Sequence, residues 1–146
     1  VGPQALFEGF DRDETATLTG YMECYGVPRE SLVLREGAVG DYLAILVTGR
    51  AIIIKSFEGV EKVVHDLRPG EMIGEMSLVD GQRRFASCVT TEPSDFAVLS
   101  HDNLYALIDA HPRLGNKLLL MLLGLTTNRL RHATTFMLPG LLDNSA

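Results

Sequence analysis

The sequence has no tryptophan and only two cysteines, Cys24 and Cys88, in 146 residues. One disulfide at most follows and no CxxC pair exists, which excludes a disulfide scaffold and a zinc knuckle. Long apolar runs are missing as well. The longest, residues 118–123, falls far short of the roughly 20 residues that a membrane span requires. Basic residues are in the minority: 13 Lys and Arg against 19 Asp and Glu leave a net charge of −6. That balance speaks against a chain whose main task is coating nucleic acid. At the N-terminus no charged segment precedes a long apolar one, so no secretory signal is read there and a cytoplasmic protein is expected. The histidines His65, His101, His111 and His132 have neither HxH nor HExxH spacing. No metal site is therefore expected, and surface or helix-capping roles suit them better. Ser87 and Cys88 have no neighbouring base, which leaves nucleophilic catalysis without support. The chain opens at Val1 without Met and reads as a piece of something longer.

What is present suits one domain with a sizeable core. Glycine is unevenly spread: seven of the 14 fall between Gly37 and Gly81, and none between Gln82 and Leu114. Between these glycines lie short aliphatic and β-branched runs at residues 31–35, 42–47, 51–55, 62–67 and 85–91, followed by 96–100. Turn chemistry separates them: Thr48-Gly49, Glu58-Gly59, Arg68-Pro69-Gly70, Asp80-Gly81 and Glu92-Pro93. Strands at such spacing, with no long helical segment among them, predict an antiparallel sandwich or barrel rather than parallel βαβ units.

The flanks predict helices. Residues 13–25 carry Leu18, Tyr21 and Met22 at helical spacing and stop near Gly26 and Pro28. Ser100 can cap a short helix to Ala110, and Pro112 opens a longer one to about Phe136. This last helix has two apolar sides, one with Leu114, Leu118, Met121, Leu122 and Leu125, the other with Leu119, Leu123 and Leu130. Two apolar sides require two partners, the barrel and a second copy of the helix in a homodimer. Arg113, Lys117, Arg129 and Arg131 on it could suggest a nucleic-acid stripe. A solvated edge suits an acidic chain better, and no nucleic acid is expected to bind this chain alone. Residues 1–12 are read as an extension and 137–146 as a fraying tail, which leaves 13–136 as the domain.

The chemistry concentrates between Leu67 and Ser87. Gly74, after Ile73, allows a tight turn and a close backbone approach to a ligand. A short helical turn at Met76–Val79 would aim free N–H groups at the same spot and favour an anion. Arg84 returns ten residues later with a planar fork suited to phosphate oxygens. Glu75 is an acceptor for a pair of donors such as sugar hydroxyls. An anion and a hydroxyl held side by side describe a ribose phosphate.

These residues resemble the phosphate-binding cassette of cyclic-nucleotide-binding domains. Ile73-Gly74-Glu75, Ser77-Leu78, Arg84 and Ala86 stand at its pattern positions. Arg35 to Gly49 is similar to the family's glycine-flanked second and third strands, and Leu67-Arg68-Pro69-Gly70 to its lead-in. The resemblance spans about residues 15–136. It implies a mainly β fold, an antiparallel double-stranded jelly-roll or β-roll of about eight strands, with an N-terminal helix and a long C-terminal helix. It further implies that Glu75 accepts from the ribose 2′-hydroxyl and Arg84 pairs with the cyclic phosphate. Backbone N–H groups of Gly74, Glu75 and Phe85 would line the same pocket, with Met76, Ser77 and Ala86 completing the cassette. Ile53, Val64 and Ile73 are the implied apolar wall, and Arg129 and Thr134 the base contacts. Phe85 and Cys88 depart from the pattern, which has a small or hydroxyl residue and an aliphatic there. Without that hydroxyl cAMP is expected rather than cGMP, and the Phe85 ring has the size to crowd the pocket. The implied role is regulatory, without catalysis or cofactor: the ligand shifts the dimer helix. Two alternatives stand beside it, a degenerate dimerisation barrel without ligand and a metal-dependent cupin-like enzyme.

Overall fold

The computed structural model describes residues 8–144, with side chains as far as Ala133. Among these residues eight strands form two four-stranded antiparallel sheets. One sheet takes β1 (Glu23–Val27), β8 (Ser94–Ser100), β3 (Tyr42–Thr48) and β6 (Met72–Ile73), in that order. The other takes β2 (Leu32–Leu34), β7 (Ser87–Thr90), β4 (Ala51–Phe57) and β5 (Val60–Leu67). Four helices accompany them: α1 (Arg12–Thr19), α2 (Glu75–Asp80), α3 (His101–Ala110) and α4 (Pro112–Asn144). The antiparallel β architecture that the turn spacing predicts is what forms, as the β-roll with flanking helices that the resemblance implies.

Strand β3 shows how the layers are built. Its side chains alternate in direction, and both directions are apolar. Leu43 and Ile45 join Leu18 of α1, Leu104 and Leu107 of α3, and Leu114, Leu118 and Leu122 of α4 in a cluster under the helices. Ala44 and Leu46 join Leu34, Ala51, Leu67, Cys88 and Phe96 in a second cluster between the sheets. Burial pushes the Cys88 thiol up to about 12, so it stays protonated and acts as a small hydrophobe where the family pattern has an aliphatic.

Three of the boundaries that differ from expectation have an identifiable cause. The helix expected over residues 13–25 ends at Thr19, and Glu23–Val27 is a strand. Asp11 and Glu14 close a capping box at the helix start, and Gly20 caps its end. The following residues find a partner in β8, with Glu23 opposite Val98 and Val27 opposite Ser94. Tyr21 and Met22 pack on the helix-side cluster from the connecting turn, which is why they kept a helical spacing. Strand β7 starts at Ser87 rather than Phe85, because Arg84 is tied to the loop before β3 (Arg84 N–H to Ala38 O, 2.8 Å; Gly37 N–H to Arg84 O, 2.8 Å). The closing helix α4 runs to Asn144, through Pro139 and beyond the expected end at Phe136. A proline forfeits one backbone donor, which does not by itself end a long helix already propagating. Ser100 caps α3 as expected, its hydroxyl accepting from Asn103 N–H at 3.1 Å. Among the described residues no helix is long and apolar enough to cross a membrane.

Candidate functional site

Strand β6 ends at Ile73, paired with Ala44 of β3, and delivers the chain to Gly74. Gly74 has φ +83° and caps α2. A Cβ there would lie 2.6 Å from Arg84 Nη1 and 2.9 Å from the Tyr42 carbonyl. A Cβ on Gly40 would lie 2.5 Å from Arg84 Nη2. Two glycines and the Tyr42 ring, 4.5 Å from the guanidinium carbon, thus form a bed for Arg84, which is only 4% exposed. Nη1 donates to the Gly74 carbonyl at 3.1 Å. Nη2 is buried and has no hydrogen-bond partner among the described residues. Leaving such a donor unmatched costs about 1–3 kcal/mol. A buried cation with an open donor beside the N–H groups that open α2, which have no intrahelical acceptors, is complementary to an anion with several oxygens.

Glu75 stands next along the chain with its carboxylate largely covered. Arg129 of α4 donates from Nη1 to Glu75 Oε1 at 2.7 Å, and from Nη2 to the Met72 carbonyl. The cassette and the closing helix are therefore joined through one carboxylate. Phe85 turns away from this space. Its side chain is 57% exposed and lies under Lys55 Nζ, 4.2 Å from the ring centre. Lys55 also donates to the Phe85 carbonyl at 2.7 Å and to Glu36 Oε2 at 3.1 Å, which holds the ring outward. The crowding that a bulky residue 85 threatened does not occur.

Residues 28–111 match the family described as the cyclic nucleotide-binding domain. The chain belongs to that family. Among solved structures it is similar to a cyclic nucleotide-binding domain from Methylobacillus flagellatus, at 44% identity and a TM-score of 0.85, over 90% of this chain and 74% of that one. Among curated proteins it is 30% identical to the cyclic AMP receptor protein of Thermus thermophilus, over 88% of this chain and 58% of that protein. It is 29% identical to a CRP-like cAMP-activated global transcriptional regulator of Mycobacterium tuberculosis, over 92% and 62% respectively. The chain thus spans about three fifths of the length of these curated relatives.

With the family established, the cassette residues fall into two groups. Gly74 caps α2, Glu75, Met76 and Ser77 form its first turn, and Arg84 reaches Gly74 from ten residues on, whereas Phe85 points to Lys55 and Ala86 follows it toward β7. Met76 is half exposed, whereas Ser77 is buried and its carbonyl accepts the Gly81 N–H that ends the helix at 3.0 Å. Of the apolar wall, Ile73 is buried in the inter-sheet cluster and Ile53 packs against it. Val64 is not part of that cluster; it lies on β5, all of which but Leu67 is exposed, because β5 is the edge strand of its sheet and Val64 falls at a β-bulge opposite Ile53 and Ile54. Arg129 is placed on Glu75, and Thr134 lies outside the residues whose side chains are described. Gly40 and Tyr42, which the sequence reading did not single out, complete the bed of Arg84. Their signal was present in the glycine-flanked stretch from Arg35 to Gly49, but only distance shows what they touch. Among the described residues no three of His, Cys, Asp and Glu are grouped to hold a metal, so a cupin-like centre has no ligand set there. The basic stripe is partly spent on internal pairs, Lys117 on Glu14 at 2.9 Å and Arg129 on Glu75.

Two consequences can be measured. Gly74→Ala is expected to destabilise the fold by about 1–3 kcal/mol, since it combines a positive φ with contacts on backbone and guanidinium. Urea unfolding reads this directly, and a loss under about 0.5 kcal/mol would show that the bed yields. The second concerns Glu71 in the lead-in turn. Burial raises its carboxyl pKa, but hydrogen bonds from His65 (3.0 Å) and Arg68 N–H (2.7 Å) outweigh burial and hold it below its ordinary value of 4.5. A carboxyl lowered by folding stabilises above its unfolded pKa, and that stability is lost as pH falls through the folded one. Glu71→Gln should therefore cost stability near neutral pH, with the difference from wild type shrinking as pH drops from about 5 to about 3. Melting curves over that range check the sign.

Proposed function

We propose that this chain is a regulatory module that binds cAMP in preference to cGMP and transmits binding through its closing helix within a homodimer. The observation that carries the reading is the buried Arg84 with its open Nη2 donor, set in a glycine bed at the start of α2. A cyclic phosphate supplies the missing acceptor and the opposite charge at once. Glu75 then takes the ribose 2′-hydroxyl. One carboxylate has room for that donor as well as Arg129, so ribose and closing helix meet on the same group. A ligand that favours one arrangement of this junction over another shifts the position of α4 by its differential affinity for the two. The preference for cAMP is supported by Phe85, which offers no hydroxyl, and by the two curated relatives, both named for cyclic AMP. Homodimerisation is supported by the exposed apolar side of α4. A role outside catalysis is supported by those same regulatory relatives.

Calorimetric titration with cAMP and cGMP tests the proposal, together with melting in each nucleotide. Expected are saturable cAMP binding, tighter than cGMP, and a melting temperature that climbs with ligand as RT ln(1 + [L]/Kd). Absence of heat and of any melting shift with both nucleotides would overturn it and leave the ligand-free dimerisation barrel.

A further inference from the structure

We infer that a cleft between the edge strands β1 and β2 is a second ligand site, for a small molecule with an apolar body and a protonated amine. The cleft has a volume of about 500 Å³, within the span of small-molecule sites, roughly 300–1,000 Å³. It lies where the two sheets present their free edges to each other, β1 on one and β2 on the other. Its floor is apolar, built from Val27, Leu32, Val33, Tyr42, Phe96 and Val98. Part of that surface is open: Leu32 and the neighbouring Tyr25 are about half exposed, which is apolar area that an occupant would cover.

Charge decides the class of occupant. Glu23 and Asp41 line the cleft, and no Lys, Arg or His does so among the described residues. The Glu23 carboxylate accepts from the Tyr25 hydroxyl, and neither acid meets a cation among the described residues. That hydrogen bond and the charge of Glu23 hold the Tyr25 phenol above its ordinary pKa, an effect of the same negative field. Two carboxylates over an apolar floor attract a cation carrying an apolar group and repel a phosphate or carboxylate. The cleft is thus opposite in sign to the bed of Arg84. The two sites are neighbours, since Tyr42 lines the cleft and also carries the Arg84 guanidinium over its ring.

The test uses two probes of one shape and opposite charge, tryptamine and indole-3-propionate, titrated into the isotope-labelled chain by NMR. Tryptamine is expected to shift amides of β1 and β2, with indole-3-propionate silent at the same concentration. The double variant Glu23→Gln, Asp41→Asn alters exposed side chains, so it should melt like wild type and bind tryptamine about tenfold more weakly or worse. Equal binding of both probes, no shift in β1 and β2, or an unchanged tryptamine affinity in the double variant would each overturn the site. A cAMP titration of the same samples keeps the two readings apart, since cAMP binding without tryptamine binding removes only this one.

Discussion

Arg84→Met is expected to leave the ligand-free protein at least as stable as wild type while removing nearly all affinity for cAMP. Among the described residues the side chain of this arginine forms one hydrogen bond, to Gly74 O, and one ring contact, with Tyr42; its backbone bonds to Gly37 and Ala38 do not depend on the side chain. Against these gains stand a nearly fully desolvated charge and an open Nη2 donor. A contact between cation and ring is worth about 0.5–2 kcal/mol, whereas an unmatched buried donor costs about 1–3 kcal/mol. Apolar replacement of buried charged groups is often neutral or stabilising, and an unbranched Met fills the same channel without a new polar atom. The binding side has no such compensation. Removing one partner of a buried, hydrogen-bonded charge pair costs about 2–5 kcal/mol, a loss of roughly thirtyfold to several thousandfold. Urea unfolding without nucleotide and calorimetry with cAMP give the two numbers. A variant that loses about 2 kcal/mol of stability and keeps cAMP affinity within threefold would mean that Arg84 is structural.

The same asymmetry explains which parts of the protein could be seen in its sequence. Turn residues and alternating apolar runs are local, so β3, β4 and most of β5 are visible at their true places, and Ser100 and Pro112 mark α3 and the start of α4. Strand β1 is different. Glu23–Val27 has a single partner, β8, about seventy residues further along, and no local period shows that pairing. Tyr21 and Met22 completed an apparent helical stripe because they reach the same cluster from a turn. The end of α4 departs in the opposite direction: the helix expected to stop at about Phe136, before a fraying tail, runs through Pro139 to Asn144.

Within the site, residue types and spacing were enough to bring Gly74, Glu75 and Arg84 together, because a glycine turn and a returning arginine are short-range requirements. The partners of these groups were not legible. Arg129 is 54 residues from Glu75, and its place on that carboxylate depends on how α4 crosses the roll. Gly40 matters only because a guanidinium from another loop lies against it. The direction of Phe85 depends on Lys55, a residue of the neighbouring strand. Each of these is a tertiary contact, and composition or period carries no record of it.

Leu123→Glu combined with Leu130→Glu is expected to convert a dimer into a folded monomer. The inner side of α4, with Leu114, Leu118 and Leu122, is buried on the roll. The outer side is not: Leu120, Leu123 and Leu130 are 69%, 61% and 66% exposed. Leu120, Leu123, Thr127 and Leu130 succeed one another at steps of three, four and three, the seam of a two-helix contact. At Gly124 a Cβ would meet nothing within 4 Å. A shallow hollow is framed there by Leu120, Leu123, Thr127 and Asn128, a receptacle for a leucine from a symmetry-related helix. Covering a leucine is worth about 1.5–3 kcal/mol, and a two-fold contact counts each one twice. Two glutamates per chain would place four carboxylates in that apolar seam, where the cost of desolvating the charges opposes association. The substituted positions lie in solvent within one chain, so the roll itself should melt unchanged. Sedimentation of both proteins at micromolar concentration decides the matter: a wild type that sediments as a monomer, or a variant that remains a dimer, would show that the outer leucines serve something other than a second copy.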